Sequence, residues 1–92
     1  MILHVFSFYD GKAGYFSTPF FYPHTGQAIR TAIDLGSDPN TGPGRYPEDF
    51  TLYRIGSFND QTAIFESEPP VSMGSVSSLM PRDSKPTEWK PV

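Results

Sequence analysis

Few residues in this chain are equipped for covalent chemistry. His4 and His24 are the only histidines, and neither has a second metal-type ligand at helical or short-loop spacing. A metal or a proton-transfer centre needs several donors converging on one point. The acids Glu48, Asp49, Asp60, Glu66 and Glu68 fall mostly at the ends of expected strands, where solvation or capping is their ordinary role. Two of them working as acid and base would need a cleft that nothing in the sequence announces. Gly42-Pro43-Gly44 lacks the Gly-Lys-Ser/Thr ending of a phosphate loop and does not lead from a strand into a helix. The expectation is therefore a protein that is not an enzyme, with no catalytic residue, metal or cofactor.

What remains is contact chemistry. Tyr9, Lys12 and Tyr15 surround a first expected hairpin, and Tyr53 and Arg54 lie on a second. Rings with cations nearby on one sheet suit single-stranded DNA or RNA, because any base can stack on an aromatic face. The plainer reading makes these tyrosines core-edge residues with their hydroxyls in water. A formal net charge of -3 argues against a protein that holds nucleic acid mainly by neutralising phosphates, while an aromatic content of 15% leaves stacking open. Ile55, Ile64 and Trp89 are candidates for contact with a protein partner, Trp89 either as an anchor in a pocket or simply as a tail residue.

The elements that must position these residues can be read from hydrophobic spacing. Residues 47–66, PEDFTLYRIGSFNDQTAIFE, hold two apolar, β-branched and aromatic runs at 50–55 and 62–65, joined across Phe58-Asn59-Asp60, which predicts a β-hairpin. Alternation places Phe50 and Leu52 with Ala63 and Phe65 on one face, and Thr51, Tyr53 and Ile55 with Thr62 and Ile64 on the other. The second set is more apolar than a solvated face requires, so something is expected to cover it. Residues 2–9 predict a central strand, with Leu3, Val5 and Tyr9 on one side and Ile2, Phe6 and Phe8 on the other. Asp10-Gly11-Lys12-Ala13-Gly14 predicts a turn, and 15–22 a second strand shortened or confined to an edge by Pro19.

Ala28, Ile29, Ala32 and Ile33 recur at helical spacing behind Thr25, a plausible N-cap, and before Gly36, a natural stop. The small alanines would let this helix lie close to the sheet. Residues 37–48, with three prolines and two glycines, predict a loop. From Ser67 onward the composition shifts to Pro, Ser and charge, predicting a tail, with one short helical turn where Val76, Leu79 and Met80 follow Ser75.

Ninety-two residues make one domain with a thin stability margin unless a second subunit or a docked tail adds burial. Cys is absent, which excludes disulfides and thiolate metal sites. No membrane span or signal peptide is apparent, and a soluble cytoplasmic protein is expected. The fold class is α+β: a small four-stranded, mainly antiparallel sheet in the order β-β-α-β-β, one helix on one face, a domain over 1–67 and a Pro/Ser-rich tail over 68–92. The apolar second face predicts a homodimer or a docked tail.

Three segments carry a resemblance: Phe6-Ser7-Phe8-Tyr9-Asp10-Gly11-Lys12-Ala13 with Pro19-Phe20-Phe21, then Gly26-Gln27-Ala28-Ile29-Arg30, then Asp38-Pro39 leading to residues 47–58, PEDFTLYRIGSF. Their order over residues 4–66 resembles the small nonstructural protein of gokushovirus-type Microviridae, phages with circular single-stranded DNA genomes. The resemblance implies an accessory protein in the host cytoplasm that assists viral single-stranded DNA synthesis and genome packaging, by binding single-stranded DNA or phage replication or packaging proteins. The alternative is a protein-interaction adaptor or dimeric structural module that uses the C-terminal tail without direct DNA contact. No catalytic residue carries over, and nothing carries over beyond Ser67, where that family varies freely.

Overall fold

The computed structural model describes residues 1–81. Its elements are β1 (Ile2–Asp10), β2 (Tyr15–Phe16), β3 (Phe20–Tyr22), α1 (Thr25–Gly36), α2 (Gly42–Arg45), β4 (Phe50–Asn59), β5 (Ile64–Ser75) and α3 (Val76–Leu79). They form one antiparallel sheet in the order β2-β1-β4-β5, with β3 also paired to β1. The α+β class, the mainly antiparallel sheet and the packed helix are as the spacing predicts.

The expected strand over 15–22 is split in two. Phe16 pairs with Tyr9 and Phe20 with Phe6, so one extra residue of this strand lies between the two ladders. Pro19 has no N–H to give, and the interruption is filled by side chains. The Ser17 hydroxyl accepts the Phe8 N–H at 3.0 Å, while the Ser7 hydroxyl donates to the Ser17 carbonyl at 2.7 Å. Ser7 is only 1% exposed, and these bonds are what make its burial tolerable.

One face of the sheet carries the core. Phe6, Phe8 and Leu52 meet Ala28 and Ala32 of α1 and Val76 of α3, with Phe20, Ile29, Leu35, Phe50 and Met73 packed around them. Both alanines are fully buried, consistent with a close helix-to-sheet approach. The helix is capped by His24, one residue earlier than expected, its N–H donating to the Gln27 side-chain oxygen at 3.2 Å. It also runs through Gly36, where a Cβ would stand 2.7 Å from Val76 Cγ1 and 2.8 Å from Met80 Sδ. The glycine is there to admit α3. Within the expected 37–48 loop, Thr41 starts α2 by accepting the Gly44 N–H at 3.0 Å while its hydroxyl donates to the Leu35 carbonyl at 2.8 Å.

The expected boundary at 67/68 falls inside β5. Ser67 pairs with Gly56, residues 68–70 leave the ladder around Pro69-Pro70, and pairing resumes from Val71 opposite Arg54 to Ser75 opposite Thr51. An edge strand tolerates this pair of prolines because its outer side has no ladder to supply. The short helical turn is present as α3, with the Ser75 hydroxyl accepting the Ser78 N–H at 3.1 Å. Trp89 lies outside the described residues.

Candidate functional site

The register of β1 against β4 shifts between Val5 and Phe6: Phe6 faces Arg54, but Val5 faces Gly56, leaving Ile55 as the extra residue of a bulge. Side chains alternate along a strand, so one inserted residue moves everything beyond it to the opposite face. Phe50 and Leu52 stay on the helix side. Phe58, with its partner Phe65, crosses to the other side, which corrects the grouping of Phe65 with Phe50 and Leu52. Ala63 is not in a strand either: it takes φ 63° in the turn, its N–H donating to the Asn59 carbonyl at 2.7 Å.

The helix-free face gathers two aromatic clusters, the second of them a consequence of the bulge. Tyr9, Phe16 and Tyr53 form the first, with ring centroids 4.9 Å apart for Tyr9–Phe16, 5.4 Å for Phe16–Tyr53 and 6.4 Å for Tyr9–Tyr53. Phe21, Phe58 and Phe65 form the second, at 5.7, 5.9 and 4.7 Å. Phe16, Phe21 and Phe65 are 42%, 38% and 61% exposed, so these rings present faces or edges to solvent. Near the second cluster a shallow apolar cleft of about 180 Å³ is lined by Val5, Pro19, Ile55, Gly56 and Phe65. Gly56 keeps the β4–β5 approach open, since a Cβ there would stand 2.3 Å from the Glu66 carbonyl oxygen.

The sequence-derived candidates divide across the molecule. Tyr9 and Tyr53 come together on this face. Tyr15, opposite Asp10, lies at the far end of the first hairpin on the helix side by alternation, and Lys12 sits in the turn, where the Asp10 carboxylate accepts the N–H groups of Lys12 and Ala13 at 3.0 and 3.1 Å. Arg54 belongs to the helix side: its Nε donates to His4 Nδ1 at 3.0 Å and its Nη1 pairs with Glu68. Ile55 lies on the cleft, whereas Ile64 lines a separate groove with Ile2, Ser57 and Asn59. Phe16, Phe21, Phe58 and Phe65 are not among the sequence-derived candidates. Alternation across from Tyr9 and Val5 could have found the first two, but the bulge hides the second two.

Chemically, the two clusters offer stacking and apolar contact without charge. Among the described residues no group of three or more His, Cys, Asp or Glu is placed to hold a metal ion, and no helix is long and apolar enough to cross a membrane. Comparison with known proteins yields one family: the model described as "Phage ORF5 protein" matches residues 3–79. No curated protein and no solved structure gives a match.

Proposed function

The chain belongs to the phage ORF5 protein family, and from that premise we propose that it is a non-enzymatic accessory protein of a gokushovirus-type phage, assisting viral single-stranded DNA synthesis and genome packaging. It works by binding, and the helix-free face of the sheet is the binding surface. The observation that carries this reading is the gathering of exposed Phe16 with half-buried Tyr9 and Tyr53 into one cluster, a platform on which bases of a single strand can stack. The test is fluorescence anisotropy of a labelled single-stranded oligonucleotide. Phe16→Ala or Tyr53→Ala is expected to weaken binding about 5- to 150-fold, the equivalent of roughly 1–3 kcal/mol per stacked base. Because stacking leads, affinity falls only shallowly with salt. Absence of binding at low salt removes this reading.

The second reading, an adaptor or dimer without DNA contact, is favoured by a different observation. Arg54 is engaged with Glu68 and His4 on the opposite face, so the aromatic clusters have no cation of that strand to meet phosphates. On that reading Phe21, Phe58 and Phe65 form the contact with a second copy or a phage replication protein. Sedimentation showing a dimer that Phe65→Ser dissociates, together with no oligonucleotide binding, selects it.

A further inference from the structure

We propose that the outer edge of β5 at residues 64–67 takes up an extended peptide strand of a protein partner, one in which basic and apolar residues alternate. This proposal does not rest on base stacking at the helix-free face. β5 ends the sheet order β2-β1-β4-β5, so among the described residues its outer side has no ladder, and residues 64–72 are exposed throughout. At the opposite edge β2 and β3 are only two and three residues long. A long edge strand presents a row of unpaired N–H and C=O groups, which is a template for one more strand. Pro69-Pro70 interrupts that template and leaves 64–67 as its first continuous stretch, paired on the inner side from Asn59–Ile64 to Gly56–Ser67.

Side chains define the occupant. Alternation puts Phe65 and Ser67 on the helix-free face and Ile64 and Glu66 on the other. Each face carries a cleft of about 180 Å³ against this stretch: the apolar one is lined by Val5, Pro19, Ile55 and Phe65, and the more polar one by Ile2, Ser57, Ile64 and Glu66. An added strand also sends successive side chains to opposite faces, so its residues alternate between these two surroundings. Those on the helix-free side meet the Phe65 ring and an uncharged cleft, which suits apolar or aromatic residues. Those on the other side pass Glu66, whose carboxylate has no hydrogen bond or ion pair among the described residues, whereas Glu68 is held by Arg54. A lysine or arginine there pairs with Glu66 while its apolar stem covers Ile2 and Ile64.

Charge also argues against a second copy as the occupant. Two β5 strands paired antiparallel through 64–67 set the Glu66 carboxylates of both copies opposite or diagonal to each other, a repulsive arrangement. The same acid that opposes self-pairing attracts a basic strand, so one residue serves both to keep the edge free and to select what fills it.

The test uses the full-length protein and a fluorescein-labelled six-residue peptide in which lysine alternates with valine or phenylalanine. Saturable binding by fluorescence anisotropy is expected, with slower hydrogen exchange at amides within 64–67. A peptide of the same composition with its lysines in one block is expected to bind more weakly, since it cannot present the two kinds of side chain to opposite faces. Glu66→Lys is expected to weaken binding of the alternating peptide about 3- to 30-fold, as one opposite-charge pair across strands becomes a like-charge pair. Circular dichroism should be unchanged, because Glu66 is exposed. Replacing the peptide's lysines by glutamates is expected to restore affinity for that variant. Absence of binding overturns the proposal, as does equal binding of the alternating and block peptides or binding that Glu66→Lys leaves unchanged. Amides of 64–67 that are all protected in the free protein also overturn it, because the edge is then already paired.

Discussion

Replacing Val76 tests whether the segment beyond residue 67 is part of the folded unit. Val76 is fully buried, and its Cγ1 occupies the space that Gly36 leaves free. Val76→Ala removes two methyl groups, about 1.6 kcal/mol of transfer free energy at roughly 0.8 kcal/mol each. A residual cavity of roughly 40–50 Å³ adds about 1 kcal/mol. The total, about 2–3 kcal/mol, is a quarter to a half of the roughly 5–10 kcal/mol expected for a domain of this size. Urea unfolding followed by circular dichroism is expected to show a midpoint lowered by about 1–2 M at an m-value of about 1.5–2 kcal/mol/M. Val71→Ala, in β5 shortly before α3 and 53% exposed, is the control, with an expected change within about 0.5 kcal/mol. If the two variants unfold alike, or if Val76→Ala is as stable as the parent, the placement of α3 in the core is wrong. A chain ending at residue 67 is expected not to fold, since it loses Val76 and the pairs from Arg54–Val71 to Thr51–Ser75.

Ser17→Ala leaves the buried Phe8 N–H without its 3.0 Å acceptor, at an expected cost of about 1–3 kcal/mol, seen as faster hydrogen exchange at that amide and a lower melting temperature. Gly44→Ala would put a Cβ 1.8 Å from the Asp38 carbonyl oxygen, a backbone atom that cannot yield without moving α2; a loss of roughly 3 kcal/mol or more is expected in the same unfolding assay. Gly26→Ala, near the start of α1 with nothing within 4 Å, is expected to be neutral or to stabilise by up to about 1 kcal/mol. Glu68→Gln breaks the ion pair with Arg54, whose side chains are 22% and 40% exposed for Arg54 and Glu68; screening limits the expected cost to about 0–1 kcal/mol, measured as a difference that shrinks with added salt.

Local patterns were sufficient for much of the fold. The alternation of Val5 and Tyr9 against Phe6 and Phe8 marked β1 and its two faces, and the Ala28/Ala32 stripe marked the side of α1 that meets the sheet. The Asp10–Gly14 turn and the helical turn behind Ser75 were equally legible, because each is coded by residues within a few positions of one another. Prolines misled where composition stood in for structure. Pro69-Pro70 reads as a tail, yet an edge strand absorbs it, and the 37–48 loop contains α2 with Pro43 in its first turn. For the candidate site, Tyr9 and Tyr53 were identified and do meet. Arg54 was grouped with Tyr53 from proximity in sequence, but adjacent strand residues point to opposite faces, and its partners His4 and Glu68 lie far from it in the chain.

The amino-acid sequence by itself determined where this chain is extended, where it is helical and that it carries more aromatic surface than one helix can cover. Only the tertiary structure decided which rings share a face. Strand register is a property of two segments brought together, and the extra residue at Ile55 is visible only when Val5 is matched to Gly56 and Phe6 to Arg54. That one-residue offset sends Phe58 and Phe65 away from the core and toward Phe21, so the surface on which the protein is proposed to act comes from pairing and not from any single run of residues.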